Sequence, residues 1–356
     1  MTVIVAILGL ILLIVIHELG HMLTAKALGV RVPEFGVGFG PAIFKKKIGK
    51  TVYSLRIILL GGFAKLAGME GMTSVGFDKG DLGPDTYPAK APWRRALIIF
   101  AGPFANLVAA VLILAGVFMF SGIITGATTE VDKVVPKSFA AEAGIQPGDQ
   151  VISVAGQRIG GKWREFQKVV GQRKPGDPVE VVVRRDGTEK TFSGELGSDP
   201  NDKSRALVGV QPVPIKKTFG PIESMGLAVK QVVNITGLLG GFVGELVTGE
   251  RSLQKNVSGP VGIAAVGSES VQQGFFPQLL ALISLNLALF NLLPLLPLDG
   301  GHLLFIAAEK VMGRPVKPET MGKVAAFGIA LVLALFLFAT YADLSKLFTG
   351  QPFIRE

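Results

Sequence analysis

A run of apolar residues from Val3 to Ile16 leads straight into His17, Glu18, Leu19, Gly20 and His21. Nothing else in the 356-residue chain restricts its fold as much. Such a run reads as a helix made for a bilayer, where an ionisable cluster is costly and marks a functional site. Two histidines four apart share one helical face and can reach one metal ion. The residue after the first histidine is a carboxylate, placed to take a proton from water at such a metal. The third and last histidine, His302, follows Leu298-Asp299-Gly300-Gly301.

The rest of the chain agrees with a bilayer setting. Apolar residues make up 49% of it and the mean hydropathy is +0.49. With about 20 apolar residues needed per crossing, four transmembrane helices are expected. They run over about Val3 to Leu28, Ala96 to Ile124, Pro277 to Leu298 and Val324 to Tyr341. The N-terminal run lacks a basic segment before it, so it reads as a retained helix rather than a cleaved signal. The stretch 220–247 carries Glu223, Lys230, Asn234 and Glu245 and reads as an interfacial amphipathic helix. A fifth span there would also send Asp299 to the opposite membrane face from the histidine pair.

The net charge of +9 comes largely from loops beside these runs. Lys45, Lys46, Lys47, Lys50, Arg94 and Arg95 lie between spans one and two; Lys310, Arg314, Lys317 and Lys323 lie between spans three and four. Basic loops stay in the cytoplasm, which puts the N-terminus, Thr125 to Phe276 and the C-terminus outside. No nucleic-acid motif accompanies the charge, so nucleic acid is not an expected partner.

Two insertions interrupt the helical pattern. Thr51 to Ala67 is apolar and partly β-branched around Gly61 and Gly62, and reads as strand pairs dipping toward the site. Residues 126–213 alternate β-formers with turn signals such as Pro175-Gly176-Asp177, with a helix expected over Lys162 to Gly171. This is a small α+β domain. The expected organisation is 1–125 as an N-terminal membrane part, 126–213 as the inserted domain, 214–276 as a linker with the amphipathic helix, and 277–356 as a C-terminal membrane part.

The chain has no cysteine, so a metal must be held by His, Asp or Glu. A catalytic zinc usually takes three protein ligands. Asp299 is the candidate third, because Pro294 and Pro297 break the apolar run before it and let it turn inward. His302 competes, but the preceding glycine pair favours a supporting or surface position. Asn291 can donate to a substrate backbone or a developing oxyanion, or simply bond between helices. Asn106 and Asn286 are read as interhelical bonds. A His-Glu-x-x-His pattern alone occurs by chance on soluble helices; here the surrounding run is too apolar for a soluble face.

With these pieces in place the chain resembles the bacterial site-2 protease family, in its regulator-of-sigma-E-type branch with a single PDZ domain. The shared motifs are His17-Glu18-Leu19-Gly20-His21, Val37 to Pro41, Leu60-Gly61-Gly62-Phe63, Ala101 to Asn106, Ser258 to Gly262 and Asn291 to Gly301. The resemblance implies a multi-pass protease of the bacterial cell membrane that cuts transmembrane segments. It implies Zn2+ on His17, His21 and Asp299, Glu18 as base, and Asn291 steadying the substrate. It also implies that Thr51 to Ala67 forms a membrane-associated β-hairpin, whose Gly61 and Gly62 meet the substrate strand. The inserted domain, through Ala140 to Gln157, resembles a PDZ domain outside the membrane. The implied partners are the lipid bilayer and membrane-spanning substrates, namely trimmed anti-sigma factors and signal peptide remnants. The alternative is an inactive membrane scaffold with a peptide-binding PDZ domain. A zinc transporter would need further acids or histidines along a path, and the other spans offer none.

Overall fold

The computed structural model describes residues 2–69, 83–199, 202–248, 266–267, 270–271, 274–314 and 316–349. The Ser258 to Gly262 motif lies outside them. The chain forms two compact units: Met1–Val117 with Pro221–Arg355, and Phe118–Gly220 between these halves.

In the first unit, helix α1 (Thr2–Ala27) is apolar along most of its length and buries Leu13, Met22 and Ala25. Its Ile4, Leu8, Leu12 and Leu23 stay open. Helix α2 (Pro92–Gly116) starts on a proline, whose missing N–H costs nothing at a helix start, and ends in a π-helical turn, Val117–Ser121. Further on come helices α5 (Pro221–Val247), α6 (Phe276–Asn291), α7 (Asp299–Met312) and α8 (Pro318–Thr349). Among the described residues, three segments are long and apolar enough to cross a membrane: Ile4–Ala27, Pro92–Ser121 and Glu319–Lys346.

The third expected span is shorter than the sequence suggests. Helix α6 has 16 residues, about 24 Å at 1.5 Å per residue, against an apolar bilayer thickness of about 30 Å. It stops at Asn291 because Pro294 and Pro297 cannot donate to a continuing helix. Residues 292–298 turn instead, and α7 begins at Asp299. Helix α5 is one continuous helix of 27 residues. It buries Ser224, Ala228 and Val232, spaced four apart, and leaves Ile222, Val233 and Leu238 exposed.

Strands β1 (Glu34–Ile48) and β2 (Thr51–Lys65) join through Gly49. Thr51 to Ala67, expected as a strand pair, is thus one long strand whose partner lies upstream. Both strands bend. Glu34 to Val37 sits between two stretches of β2, pairing with Val52 to Leu55 on one side and with Gly62 to Lys65 on the other. The Gly62 to Lys65 stretch is thereby brought beside α1.

The second unit is an antiparallel sheet. Its strands are β3 (Ile123–Val134), β4 (Gln150–Val154), β5 (Gln157–Arg158), β6 (Pro178–Arg185), β7 (Thr188–Glu195) and β10 (Val210–Lys217). The order is β10-β3-β4-β6-β7, with β5 on β4, and a short pair, β8 (Gly197–Ser198) and β9 (Ala206–Leu207), stands apart. Helix α3 (Phe139–Ala143) is capped by Ser138, which accepts from the Ala141 N–H, and α4 (Trp163–Gly171) lies where the sequence predicts it. Val131, Val151, Val154, Val181 and Val183 fill the core with Phe166 and Val170. Asp186 and Gly187 both have positive φ, as the tight β6–β7 hairpin requires. Burial pushes the Asp149 carboxyl up. Two 2.7 Å bonds from Arg185 and one from the Gln146 N–H outweigh that and hold it below the ordinary range.

Candidate metal centre

The spacing of His17 and His21 places both imidazoles on one side of α1, each buried to 8% exposure. Their Nε2 atoms are 3.2 Å apart. The broken segment before α7 delivers Asp299 opposite them, with Oδ2 3.1 Å from His17 Nε2 and 3.4 Å from His21 Nε2. Ligand atoms around one tetrahedral zinc, at about 2.0–2.1 Å from it, stand about 3.3 Å apart. The three measured separations match that triangle.

The surrounding atoms fit a metal as well. His21 Nδ1 lies 2.9 Å from the Ile98 carbonyl, which accepts the Nδ1–H and leaves the Nε2 lone pair facing Asp299. Asn106, fully buried on α2, sets its side-chain amide 3.4 Å from His17 Nδ1. Among the buried oxygens that lack a hydrogen bond, two lie at this site: Asp299 Oδ2 and Asn106 Oδ1. A His17 that binds through Nε2 carries its proton on Nδ1. Turning the Asn106 amide lets Oδ1 accept that proton, and a cation satisfies Asp299 Oδ2. Gly102 keeps the space open, since a Cβ there would collide with the imidazoles of His21 and His17.

Glu18 points to the same space from the adjacent position on α1. Its Oε2 accepts from the Ala64 N–H at 2.9 Å, which ties the carboxylate to strand β2. A cavity of about 740 Å³ opens here, lined by His17, Glu18, His21, Asn291, Asp299 and His302 among others. Gly61 and Gly62 do not line it. A Cβ on Gly62 would meet Glu18 Cγ at 3.3 Å, so the strand passes close to the carboxylate; Gly61 has φ +123° and lies against the Phe39 ring.

Three features at the cavity escape the sequence reading. Asn106 makes the interhelical bond expected of it, but its partner is a histidine, His17 of α1; its backbone oxygen adds a second such bond, accepting from Ser284 Oγ at 2.8 Å. The signal available was its place one turn after Gly102-Pro103. His302 is buried and lines the cavity rather than the surface. Glu34 and Arg56 form a wall pair at 2.8 Å. Burial pushes the Glu34 carboxyl up, but Ser54 and Arg56 outweigh it and hold it below the usual carboxylate range.

Comparison with known proteins follows this geometry. The profile of peptidase family M50 matches residues 5–335. A Campylobacter jejuni protein, named provisionally as a zinc metalloprotease, is 33% identical over 352 residues, covering 94% of this chain and 91% of its own. The zinc metalloprotease RasP of Geobacillus kaustophilus is 29% identical over 418 residues, covering 94% and 96%. Among solved structures, the PDZ domain of an SdrC-like protein from Listeria monocytogenes matches at 20% identity with a TM-score of 0.22. It covers 26% of this chain and 92% of that domain.

Proposed function

This chain belongs to peptidase family M50, and we propose from that premise that it is an intramembrane zinc metalloprotease cutting peptide bonds within transmembrane segments. What carries the reading is the triangle of His17, His21 and Asp299 atoms with Glu18 beside it, set among helices whose outer faces are apolar. His17, His21 and Asp299 would hold the ion. Zinc, when bound, supplies a Lewis acid that polarises the scissile carbonyl and makes water acidic enough to attack near neutral pH.

The chain's own residues do the rest. Glu18 takes the water's proton and passes it to the leaving amine. Asn291 holds the substrate backbone in the cavity. A helical substrate hides its peptide bonds, so it must unwind to be cut. The stretch from Gly61 to Lys65 offers a strand edge on which it can pair in extended form. The substrates are single-span membrane proteins: trimmed anti-sigma factors and signal peptide remnants. The protein is multi-pass in the bacterial cell membrane, with α6 and its following turn as a fourth crossing. The inserted unit is a PDZ-like domain outside the membrane, where it restricts which substrates reach the site.

Purified protein should carry about one zinc per chain, as a three-ligand site requires, and should cut a single-span test substrate. His17→Ala or Asp299→Ala should lose the metal. Full cleavage by Glu18→Gln would overturn the mechanism. Reporter fusions at Lys46 and Arg314 should read cytoplasmic and one at Asp186 outside; a cytoplasmic reading at Asp186 would overturn the topology.

A further inference from the structure

Buried polar groups in proteins are nearly always hydrogen-bonded. The His302 imidazole is 8% exposed, and among the described residues no hydrogen bond or ion pair reaches its ring. It lies on α7 three residues beyond Asp299, a spacing that puts two side chains on one helical face. Both line the same cavity.

Its place is fixed by the glycines that made it look superficial. A Cβ on Gly300 would collide with the carbonyl oxygens of Leu292 and Leu293, and one on Gly301 with the Leu296 nitrogen. The first turn of α7 is therefore pressed into the 292–298 turn and cannot slide. Asp299 and His302 are held at a set offset.

Peptide hydrolysis gains from a hydrogen-bond donor set beside the metal. As the water oxygen bonds to the carbonyl carbon and Glu18 takes the proton, negative charge gathers on the carbonyl oxygen. Glu18, Glu34 and Asp299 can only accept. His21 is engaged by Ile98, and Asn106 faces His17. Arg56 gives its two terminal nitrogens to Glu34 and the Gly40 carbonyl, which holds it on the wall formed with Glu34. Lys65 has an interaction of its own, Asn291 is the group proposed to hold the substrate backbone, and His302 is the lining donor that shares a helix turn with Asp299.

We propose that His302 is a further catalytic residue, a neutral imidazole that donates its N–H to the scissile carbonyl oxygen as charge develops there. This rests on the metalloprotease reading, and it adds no proton transfer: Glu18 still carries the water's proton to the amine as the C–N bond breaks.

The test compares full-length wild type, His302→Ala, His302→Asn and Glu18→Gln on one single-span substrate, measuring zinc per chain, kcat and KM. His302→Ala should keep wild-type zinc, hold KM within about two-fold and lose about 100-fold or more in kcat, the usual effect of deleting one oxyanion donor. His302→Asn, which keeps a donor, should recover part of that loss; it also decides the matter if His302→Ala fails to fold. Zinc loss in either variant would make His302 a ligand and overturn the proposal, as would a loss carried by KM or a wild-type kcat. An inactive wild type, or an active Glu18→Gln, would instead sink the protease reading itself.

Discussion

Val151, Val154, Val181 and Val183 in the inserted unit are sealed from solvent, while Ile4, Leu8, Leu12 and Leu23 of α1 stand more than half exposed. The first set is what a water-soluble sheet does with its valines. The second would be an error in water and is ordinary in lipid. Their polar groups differ in the same sense. The inserted unit places Asp149 within reach of Arg185 at its own rim. The helical unit sets a half-buried Asp299 against the buried His17 and His21, with the Asp299 Oδ2 left without a hydrogen bond. One region is complete as a polypeptide; the other is built around something it does not itself contain. Polar satisfaction, more than hydropathy, tells a supporting domain from a reactive one.

Glu18→Gln is the most severe test of that division. Cleavage should fall by about 10²–10⁴-fold, as for loss of a general base, with zinc content and the fold of the inserted unit unchanged. Equal loss of zinc would mean that Glu18 belongs to the metal-holding set.

Next in size is Asp149→Ala, which takes from Arg185 its carboxylate partner and leaves it the Gly144 carbonyl. Amide exchange in β4 and β6 of the full chain should become clearly faster, while zinc per chain stays at the wild-type level. A fall in zinc would break the comparison. The same carboxylate sets an acid limb. Its native pKa is depressed, so its stabilisation is complete above the ordinary carboxyl value of about 4 and is lost as pH falls toward the native value. Exchange measured against pH should show that limb in the wild type and a flattened one in Asp149→Asn.

Asn106→Leu probes the unbonded atoms directly. Zinc affinity, followed by competition with a chelator, should weaken about 10–100-fold, the usual effect of removing the partner of a metal-binding histidine. Undiminished affinity would leave Asn106 as a helix contact and no more. The smallest effect is expected at Glu189→Ala, which removes an exposed 3.2 Å pair with Arg184. Thermal unfolding should report at most about 0.5 kcal/mol.

Much of this arrangement is legible in the residues themselves. The apolar run around His17 and His21 announces both the helix and the cost of its polar group. Pro294 and Pro297 announce that the chain must turn before Asp299. What stays hidden is non-local. That Glu34 to Val37 pairs with two separate stretches of β2 follows from bends at Gly38 and Gly40, both at positive φ, and no local alternation encodes it. Asn106 reads the same whether it bonds a neighbouring helix or a histidine, because either partner comes from elsewhere in the chain. For His302 the glycines leave a supporting and a surface position open, and only the packing of Gly300 and Gly301 against residues 292–296 decides for the buried one.

The first unit closes only when the two ends of the chain meet, with Phe118–Gly220 made in between. A ribosome adds about 5–20 residues per second, and domains fold as they emerge. The inserted unit therefore has its whole sequence while the helical one still waits for α7. On the proposed assignment, a nascent or truncated chain holds two histidines and a base without the aspartate that completes them. On that assignment synthesis itself acts as a safety catch, because the ligand set is incomplete until α7 has been made.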